Sequence, residues 1–337
     1  MLINNWIYHC KMISDSRFDN FLKIGFSLIL CFCAGWVQGQ QDAQFTQYMY
    51  NGMFYNPAFA GKEGGYRFSV LHRSQWLNYT TSTGQGGAPV TQLIMAEGRL
   101  DSKNVGYGLS IVNDQIGPSN NLEINLKGSY HKKLNRATLS FGGYVGIFSS
   151  SLNFDEFTFV NPESNVAQSG TENQMSLDFG AGILFDRGKY YMGLSSKHLS
   201  EPALDFGDGA LANQLKNHSY FLFGYRIRPI GQLRIEPSLL IKTVSFNNFS
   251  YDVSVMATHQ NKINGGIAYR GEESVSLILG YSLLQDNSLK LGYAFDLVVG
   301  GLEAKSPTSH ELMLRYVLPT SSREVERVIQ RTPRFRF

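Results

Sequence analysis

Histidine and serine are the residues of this chain best suited to chemistry, because imidazole can bind a metal or activate a hydroxyl nucleophile. The histidines beyond residue 40 stand alone, without an H-x-x-x-H or C-x-x-C pair, so their spacing predicts no metal site and no bound cofactor. Ser74 follows His72 by two residues, but no G-x-S-x-G motif accompanies them and a catalytic triad is not expected. The six histidines are His72, His131, His198, His218, His259 and His310.

Glycines and charged residues also lack a catalytic arrangement. The groups "GYG" at 106–108 and "GAG" at 180–182 lie inside alternating segments rather than between a strand and a helix. They are therefore expected to be small residues that leave room on a strand face, not a nucleotide loop. Charges recur on one face of several segments, where pairing across strands is expected instead of acid–base catalysis, so the protein is predicted not to be an enzyme. These charges are Glu123, Lys127, Arg234, Glu236, Asp252 and Lys290.

The composition indicates what kind of elements hold these residues. The chain has 337 residues, with 30 Lys plus Arg against 27 Asp plus Glu, so its net charge gives no reason to expect nucleic acid as a partner. Thirty-four glycines and 13% aromatic residues, with only 17% charged residues, favour β structure joined by tight turns.

Residues 1–39 have the three parts of a secretory signal peptide. Arg17 and Lys23 precede an apolar run over residues 24–37, and Val37 and Gly39 supply small side chains for cleavage after Gly39. The run of 14 residues is too short for a membrane-spanning helix, which needs about 20. The sequence leaves open whether translation starts at Met1 or at Met12.

All three cysteines, Cys10, Cys31 and Cys33, lie inside this predicted leader. The mature chain therefore has no disulfide, although exported proteins commonly rely on them. A closed barrel in a membrane is another way to stabilise such a chain.

Alternating hydrophobicity is the main structural signal of the mature chain. In "NLEINLKGSY", Leu122, Ile124 and Leu126 share one strand face, while Glu123 and Lys127 share the other. The segments "MSLDFGAGILF", "QLRIEPSLLIK", "SLKLGYAFDL" and "SHELMLRYVL" repeat the pattern. The predicted strands span about nine to twelve residues, longer than the five or six usual in soluble sheets and suited to a tilted membrane strand. The pattern predicts an all-β, transmembrane antiparallel β-barrel of about 14 strands over residues 65–319, with a soluble β protein as the alternative.

The predicted strands alternate between short turns and longer loops, which is typical of outer-membrane barrels with short periplasmic turns. Long loops are expected at 78–88, 113–121, 150–174, 198–218 and 299–308, and both termini are expected in the periplasm. Tyrosines near the strand ends, Tyr130, Tyr191, Tyr225, Tyr281 and Tyr316, are expected to form an aromatic girdle. The strands centre near residues 70, 94, 108, 126, 142, 180, 193, 224, 238, 254, 267, 279, 293 and 314.

Two segments lie outside the predicted barrel. Residues 40–64 are uncharged and aromatic between Gln47 and Gly61, and they are expected to pack at the periplasmic mouth or inside the barrel as a plug. Residues 320–337 form a basic tail that is expected in the periplasm as a partner contact, with a solvated terminus as the alternative. The candidate plug residues are Gln47, Tyr48, Asn51, Tyr55, Asn56, Pro57 and Gly61, and the candidate contact residues are Arg323, Arg327, Arg331, Arg334 and Arg336.

The block "QDAQFTQYMYNGMFYNPAFAG" at 41–61 resembles the N-terminal motif of the PorP/SprF family of type IX secretion system membrane proteins. Further resemblances are "HRSQW" at 72–76, "GAPVTQ" at 87–92 and "VGYGLSIVNDQIGP" at 105–118, with "YAFDL" and "SHELMLRY" near the end. Ala43, Gly52 and Phe295 depart from the usual family residues without removing a charged or reactive group.

The resemblance implies a non-enzymatic outer-membrane barrel that assists type IX export, surface attachment of cargo or gliding motility. Its implied partners are the lipoproteins of the periplasmic ring and motor, or the C-terminal sorting domain of a cargo protein, together with outer-membrane lipid. Which of these partners applies stays open, and a passive outer-membrane porin is the alternative function.

Overall fold

A computed structural model describes residues 42–79, 87–157, 169–206, 211–229, 231–300 and 306–318. The predicted signal peptide, 1–39, and the predicted tail, 320–337, lie outside these residues. Within the described part of the chain, no helix combines the length and apolar character needed to cross a bilayer.

Fourteen of the sixteen described strands close into one antiparallel barrel, as the alternating pattern predicts. Sequence neighbours pair around the barrel, β7 pairs with β10, and β1 closes it against β16. Each of the fourteen predicted strand centres lies within one of the barrel strands. The strands are β1 Tyr66–Ser74, β2 Val90–Leu100, β3 Val105–Ile116, β4 Ser119–Leu134, β5 Ala137–Asn153, β6 Thr171–Asp186, β7 Tyr190–Lys197, β8 Ala203–Phe206, β9 Leu211–Gln214, β10 His218–Tyr225, β11 Leu233–Val244, β12 Asn248–His259, β13 Ile263–Arg270, β14 Ser274–Ser282, β15 Leu289–Val298 and β16 Thr308–Leu318.

The burial of the strands is inverted relative to that of a soluble protein. On β4, Leu126 is 61% exposed, whereas its neighbour Lys127 is only 4% exposed. Because successive side chains point to opposite faces of a strand, the apolar set faces outward and the polar set faces the lumen. An apolar exterior around a polar interior is the arrangement that a lipid bilayer requires.

The two ends of the barrel differ in their connections. The longest connections, 75–89, 154–170, 198–217 and 299–307, all lie at the end where β1 finishes and β16 begins. This end is taken as extracellular, because outer-membrane barrels place their long loops outside and their short turns in the periplasm.

One of the predicted loops was wrong, and another contains secondary structure that was not predicted. The expected loop at 113–121 is a tight turn at Gly117 and Pro118, because β3 and β4 continue in register up to the pair Ile116 and Ser119. Its polar residues suggested a loop, but a strand beyond the bilayer needs no apolar face. The expected loop at 198–218 contains a hairpin of β8 and β9, whose four-residue strands are too short to give a periodic pattern.

The expected tyrosine girdle was wrong at one position. Tyr130, Tyr225 and Tyr281 are exposed on the outer face, but Tyr191 is only 8% exposed and lies in the barrel core. Because Tyr190 and Tyr191 are adjacent on β7, only one of them can face outward.

Residues 42–64, called the lumen segment below, lie inside the barrel. They contain a 3₁₀ turn at Tyr48–Tyr50, the one-turn helix α1 at Gly52–Tyr55 and a second 3₁₀ turn at Pro57–Phe59. Their side chains contribute much of the largest buried hydrophobic cluster, which includes Phe45, Phe54 and Tyr55.

Ile267→Arg provides a test of the membrane-facing surface. Ile267 is 62% exposed on β13, where the outer face meets lipid, so an arginine there should destabilise the barrel by about 2–4 kcal/mol. Urea unfolding in phospholipid vesicles, followed by heat-modifiable gel migration, measures the loss. Ile267→Val is the matched control and should change little. Equal stability of the two variants would argue that this face does not contact lipid.

Candidate functional site

The local sequence breaks the lumen segment into short turns. Asn56 caps the second 3₁₀ turn by accepting a hydrogen bond from the Ala58 amide at 2.9 Å, and Pro57 occupies its first position. Asn51 donates its side-chain amide to the Gln47 carbonyl at 3.1 Å. A Cβ at Gly52 would lie 2.7 Å from the Phe59 ring, so only glycine lets the two turns pack together.

A buried charge cluster holds the beginning of the segment near the extracellular end. The Asp42 carboxylate lies 3.0 Å from the Lys197 ammonium and 2.7 Å from the His198 ring, and it accepts a hydrogen bond from Tyr220. Lys197 also lies 3.1 Å from Glu123, and His198 lies 2.9 Å from Asp178 on its other side. Isolated charges are not stable in such a position, so these residues depend on one another.

This cluster has a metal-like spacing that the linear sequence did not reveal. Ligand atoms of Asp42, Glu123 and His198 lie within 4.8 Å of one another. However, the Lys197 ammonium contacts both carboxylates and supplies the positive charge that a metal ion would bring. The donor set therefore fits an internal ion-pair network.

The charges of the cluster shift the pKa values of its members outside the strands. Burial alone would raise the pKa of the Asp42 carboxyl, but His218, Lys197 and His198 outweigh it and hold that pKa well below its usual value. Burial alone would lower the pKa of His198, but the carboxylates of Asp42 and Asp178 raise it to about 10. Asp42 is therefore ionised and His198 protonated at neutral pH.

A second charge cluster binds the backbone of the segment. Glu311 on β16 accepts hydrogen bonds from the amides of Thr46 and Gln47, at 2.8 and 2.9 Å. The Thr46 hydroxyl donates to Asp296 on β15 at 2.8 Å. Arg73 on β1, only 1% exposed, pairs with Asp296 at 2.8 Å and with Glu311 at 3.2 Å, so that one guanidinium bridges the two carboxylates.

Further down the lumen, neutral hydrogen bonds replace ion pairs. The Tyr48 hydroxyl lies 3.0 Å from the Ser238 hydroxyl and 3.1 Å from that of Ser254, on β11 and β12. Burial raises the pKa of Tyr48 to about 12, so this hydroxyl stays protonated at neutral pH. Further around the wall, on β6 and β7, Asn56 donates to the carbonyls of Ile183 and Leu194, at 3.0 and 3.1 Å.

Glycines in the wall leave room for the segment. A Cβ at Gly182 would lie 2.2 Å from the Asn56 amide oxygen, and one at Gly106 would lie 2.0 Å from the Ala60 carbonyl oxygen. Both glycines belong to the groups that the sequence assigned to spacing on a strand face, and their role here is close backbone approach rather than nucleotide binding.

Edge-to-face aromatic contacts fill the middle of the lumen. The ring centroids of Phe45 and Phe54 are 5.0 Å apart, those of Phe54 and Tyr55 are 4.8 Å apart, and Tyr55 continues to Tyr220 on β10 at 5.3 Å. The Lys197 ammonium lies 4.5 Å from the centroid of the Phe54 ring, which joins the aromatic and charged clusters.

The structure places the predicted site residues in two groups. Gln47, Tyr48, Asn51, Tyr55, Asn56 and Pro57 are buried in the lumen, and Gly61 lies at its periplasmic end against Gly98 and Gly106. The tail arginines, Arg323, Arg327, Arg331, Arg334 and Arg336, lie outside the described residues. Sequence reasoning missed Asp42, Thr46, Arg73, Lys197 and His198, although a charged residue on an alternating lumen face was a usable signal for Arg73 and Lys197.

A closed 14-stranded barrel with an apolar exterior and a polar lumen defines an outer-membrane β-barrel protein. The sequence profile of the family described as type IX secretion system membrane protein PorP/SprF matches residues 37–316. The chain therefore belongs to the PorP/SprF family and is located in the outer membrane.

Comparison with solved structures finds several outer-membrane proteins, all at low similarity. Omp33 of Acinetobacter baumannii matches with a TM-score of 0.42 and 8% identity, over 75% of this chain and 98% of that chain. A FadL homologue of Pseudomonas aeruginosa matches with a TM-score of 0.43 and 13% identity, over 75% of this chain and 90% of that chain. The toluene transporter TodX of Pseudomonas putida matches with a TM-score of 0.45 and 10% identity, over 79% of this chain and 92% of that chain. A comparison with curated protein sequences finds no significant match.

Arg73→Met should destabilise the protein severely. The variant leaves Asp296 and Glu311 buried beside each other without their guanidinium, and breaking such a network costs about 3–5 kcal/mol. Urea unfolding in vesicles measures the loss. Arg73→Lys, which keeps the charge, should lose clearly less, and an equal loss in both variants would show that charge balance is not the cause.

Alkaline pH should loosen the extracellular cluster. Because the folded pKa of His198 is about 10, above its ordinary value near 6.5, protonated His198 stabilises the fold fully below about pH 6.5 and loses this effect as pH rises through about 10. The thermal unfolding temperature, measured from pH 7 to 11, should fall more steeply for the wild type than for His198→Gln. Parallel pH curves would rule out this role of His198.

Proposed function

We propose that the protein is a non-enzymatic component of the type IX secretion system that supports export or surface attachment of cargo through protein–protein contacts. The observation that carries this proposal is the occupied lumen. Residues 42–61 run from the charge cluster of Asp42 to the periplasmic turns, and they contact strands on all sides of the barrel wall. Binding surfaces are then expected at the two ends of the barrel.

Family membership favours a structural or transport role over catalysis. The geometry is consistent with this role, because several buried charges of the lumen pair with one another. Asp42 pairs with Lys197, Asp252 pairs with Lys242 and Arg270, and Arg73 pairs with Asp296. A general acid or base needs access to a substrate, and these groups are covered by the lumen segment.

The two ends suit two partner classes. The extracellular end carries the long connections and the β8–β9 hairpin, where Leu204 and Phe206 pack on Phe148 of β5. This end is accessible to the sorting domain of a cargo protein. The periplasmic end is accessible to ring and motor lipoproteins, and the predicted basic tail with Arg323, Arg327 and the three further arginines would emerge there.

A passive porin is the second candidate function, and the lumen contacts weigh against it. A diffusion channel needs a continuous aqueous path, whereas Tyr48, Tyr55 and Asn56 are each at most 1% exposed where they meet the wall. We propose that the lumen segment acts as a plug.

Deletion of the gene tests the proposed function. The mutant should lose surface display or export of at least one protein with a type IX C-terminal sorting domain, measured by proteomics of the surface and culture fluid. Complementation with the chain truncated after Pro319 should restore the barrel but weaken recovery of periplasmic partners by pull-down. An unchanged set of exported proteins would refute the role in secretion.

Planar-bilayer conductance of the purified protein separates the two candidates in the same study. The wild type should be electrically silent, whereas the double variant Tyr48→Ala with Tyr55→Ala should conduct. The matched control with both tyrosines changed to phenylalanine keeps the rings and should stay closed. A steady open channel in the wild type would favour a porin.

A further inference from the structure

Beneath the lumen segment, the barrel encloses a chamber of about 640 Å³ that the contacts described above leave unused. Tyr50 and Met53 of the lumen segment form part of its lining, and residues from the periplasmic halves of β1, β11, β15 and β16 form its walls. Turn residues at the same end, including Gly188 and Asn261, also line it. The chamber therefore faces the periplasm.

The chamber is strongly basic. Three carboxylates, Glu63, Glu97 and Glu236, lie among its lining residues. Asp186 lies next to it and pairs with two of the basic groups. Basic side chains therefore outnumber carboxyl side chains by three, even when Asp186 is counted. An enclosed site with such an excess concentrates anions. The seven basic residues are Lys62, Arg67, Arg226, Arg228, Arg234, Lys290 and Arg315.

Donors in the chamber lack an ion-pair or hydrogen-bond partner among the described residues. The Lys290 ammonium lies 3.8 Å from the centroid of the Tyr50 ring, and no described carboxylate forms an ion pair with it. Asn264 is 2% exposed, and neither atom of its side-chain amide has a hydrogen-bond partner among the described residues. Buried polar groups are normally satisfied, so an orphaned amide that lines a cavity points to a missing ligand.

The remaining lining indicates a peptide rather than a small inorganic ion. Four methionines, Met49, Met53, Met95 and Met256, line the chamber together with the aromatic rings of Tyr50, Phe59 and Tyr191. Methionine side chains adapt to varied apolar partners and are common at peptide-binding surfaces. A ligand that matches both features carries carboxylates and apolar side chains along one flexible chain.

The protein's own C-terminal tail does not match this chamber. The tail continues from Leu318, at the periplasmic end of β16, and residues 320–337 hold five arginines against two glutamates. Its charge has the same sign as the chamber, so it adds to the attraction for an acidic partner.

We infer that the chamber binds an acidic, partly apolar segment of a periplasmic protein that enters through the periplasmic mouth. This inference rests on the proposed function, because it defines the chemistry of a partner of the secretion component. Carboxylates of the segment would pair with Lys290 and Arg315, and its apolar side chains would pack against the methionines.

Fluorescence anisotropy with the full-length mature barrel in detergent tests the inference. The probe is a fluorescein-labelled octapeptide of alternating Glu and Leu, and the reference peptide alternates Lys and Leu. The acidic peptide should bind, and its affinity should fall as salt is added, whereas the basic peptide should not bind. Lys290→Gln with Arg315→Gln should weaken binding at least tenfold. The control Lys132→Gln with Lys133→Gln changes two exposed residues at the same end of the barrel and should bind like the wild type.

Two further measurements keep the test decisive. Inorganic phosphate at millimolar concentration should not displace the peptide. Full displacement would overturn the inference and show that the chamber binds small anions rather than a peptide. A photoactivatable version of the acidic peptide should crosslink to chamber residues such as Met49 or Met256. This measurement uses only the wild-type protein, so it does not depend on whether the variants fold. Crosslinks confined to the extracellular loops, or equal binding by both variants, would overturn the inference. Because this assay uses purified protein, its failure would leave the secretion result of the deletion strain standing.

Discussion

The requirement that buried charges be paired organises the interior of this barrel. The apolar face of each strand contacts the bilayer, so the polar face must turn inward. This polar face includes Arg73, Lys197, Asp296 and Glu311. A lumen lined with such groups is stable only if charges find partners there. The lumen segment provides some of these partners, because Asp42 pairs with Lys197 and the amides of Thr46 and Gln47 donate hydrogen bonds to Glu311.

The same requirement connects the segment to the proposed role. The two anchors use strands that are far from each other in sequence and in the barrel, since Asp42 meets β7 and β10 while Thr46 meets β15 and β16. The segment therefore ties opposite parts of the wall together. The interior thus divides into a packed extracellular part and a basic chamber at the periplasmic end, where polar donors stay unpaired among the described residues.

Much of the fold was predictable because a strand has a period of two and lipid accepts only one kind of face. All fourteen strand positions followed from this rule, and the exposed Leu126 beside the buried Lys127 shows why it works. The rule failed where lipid no longer imposes it. β3 and β4 continue above the membrane as polar strands, and the short β8–β9 hairpin has no detectable period. The position of Tyr191 near a strand end suggested a place in the aromatic girdle, but the alternation of β7 directs its ring into the lumen.

By itself, the sequence determined the class of the protein: the alternation specified a membrane barrel, and the block from Gln41 to Gly61 specified its family. It also indicated that residues Gln47 to Gly61 would pack rather than extend into solvent. The tertiary structure alone decided where the segment runs and which groups hold it. Periodicity assigns a residue to a face, but it contains no information on which faces meet across the lumen. The contacts of Asp42 with Lys197, of Glu311 with Thr46, and of Lys290 with Tyr50 arise only when the barrel closes.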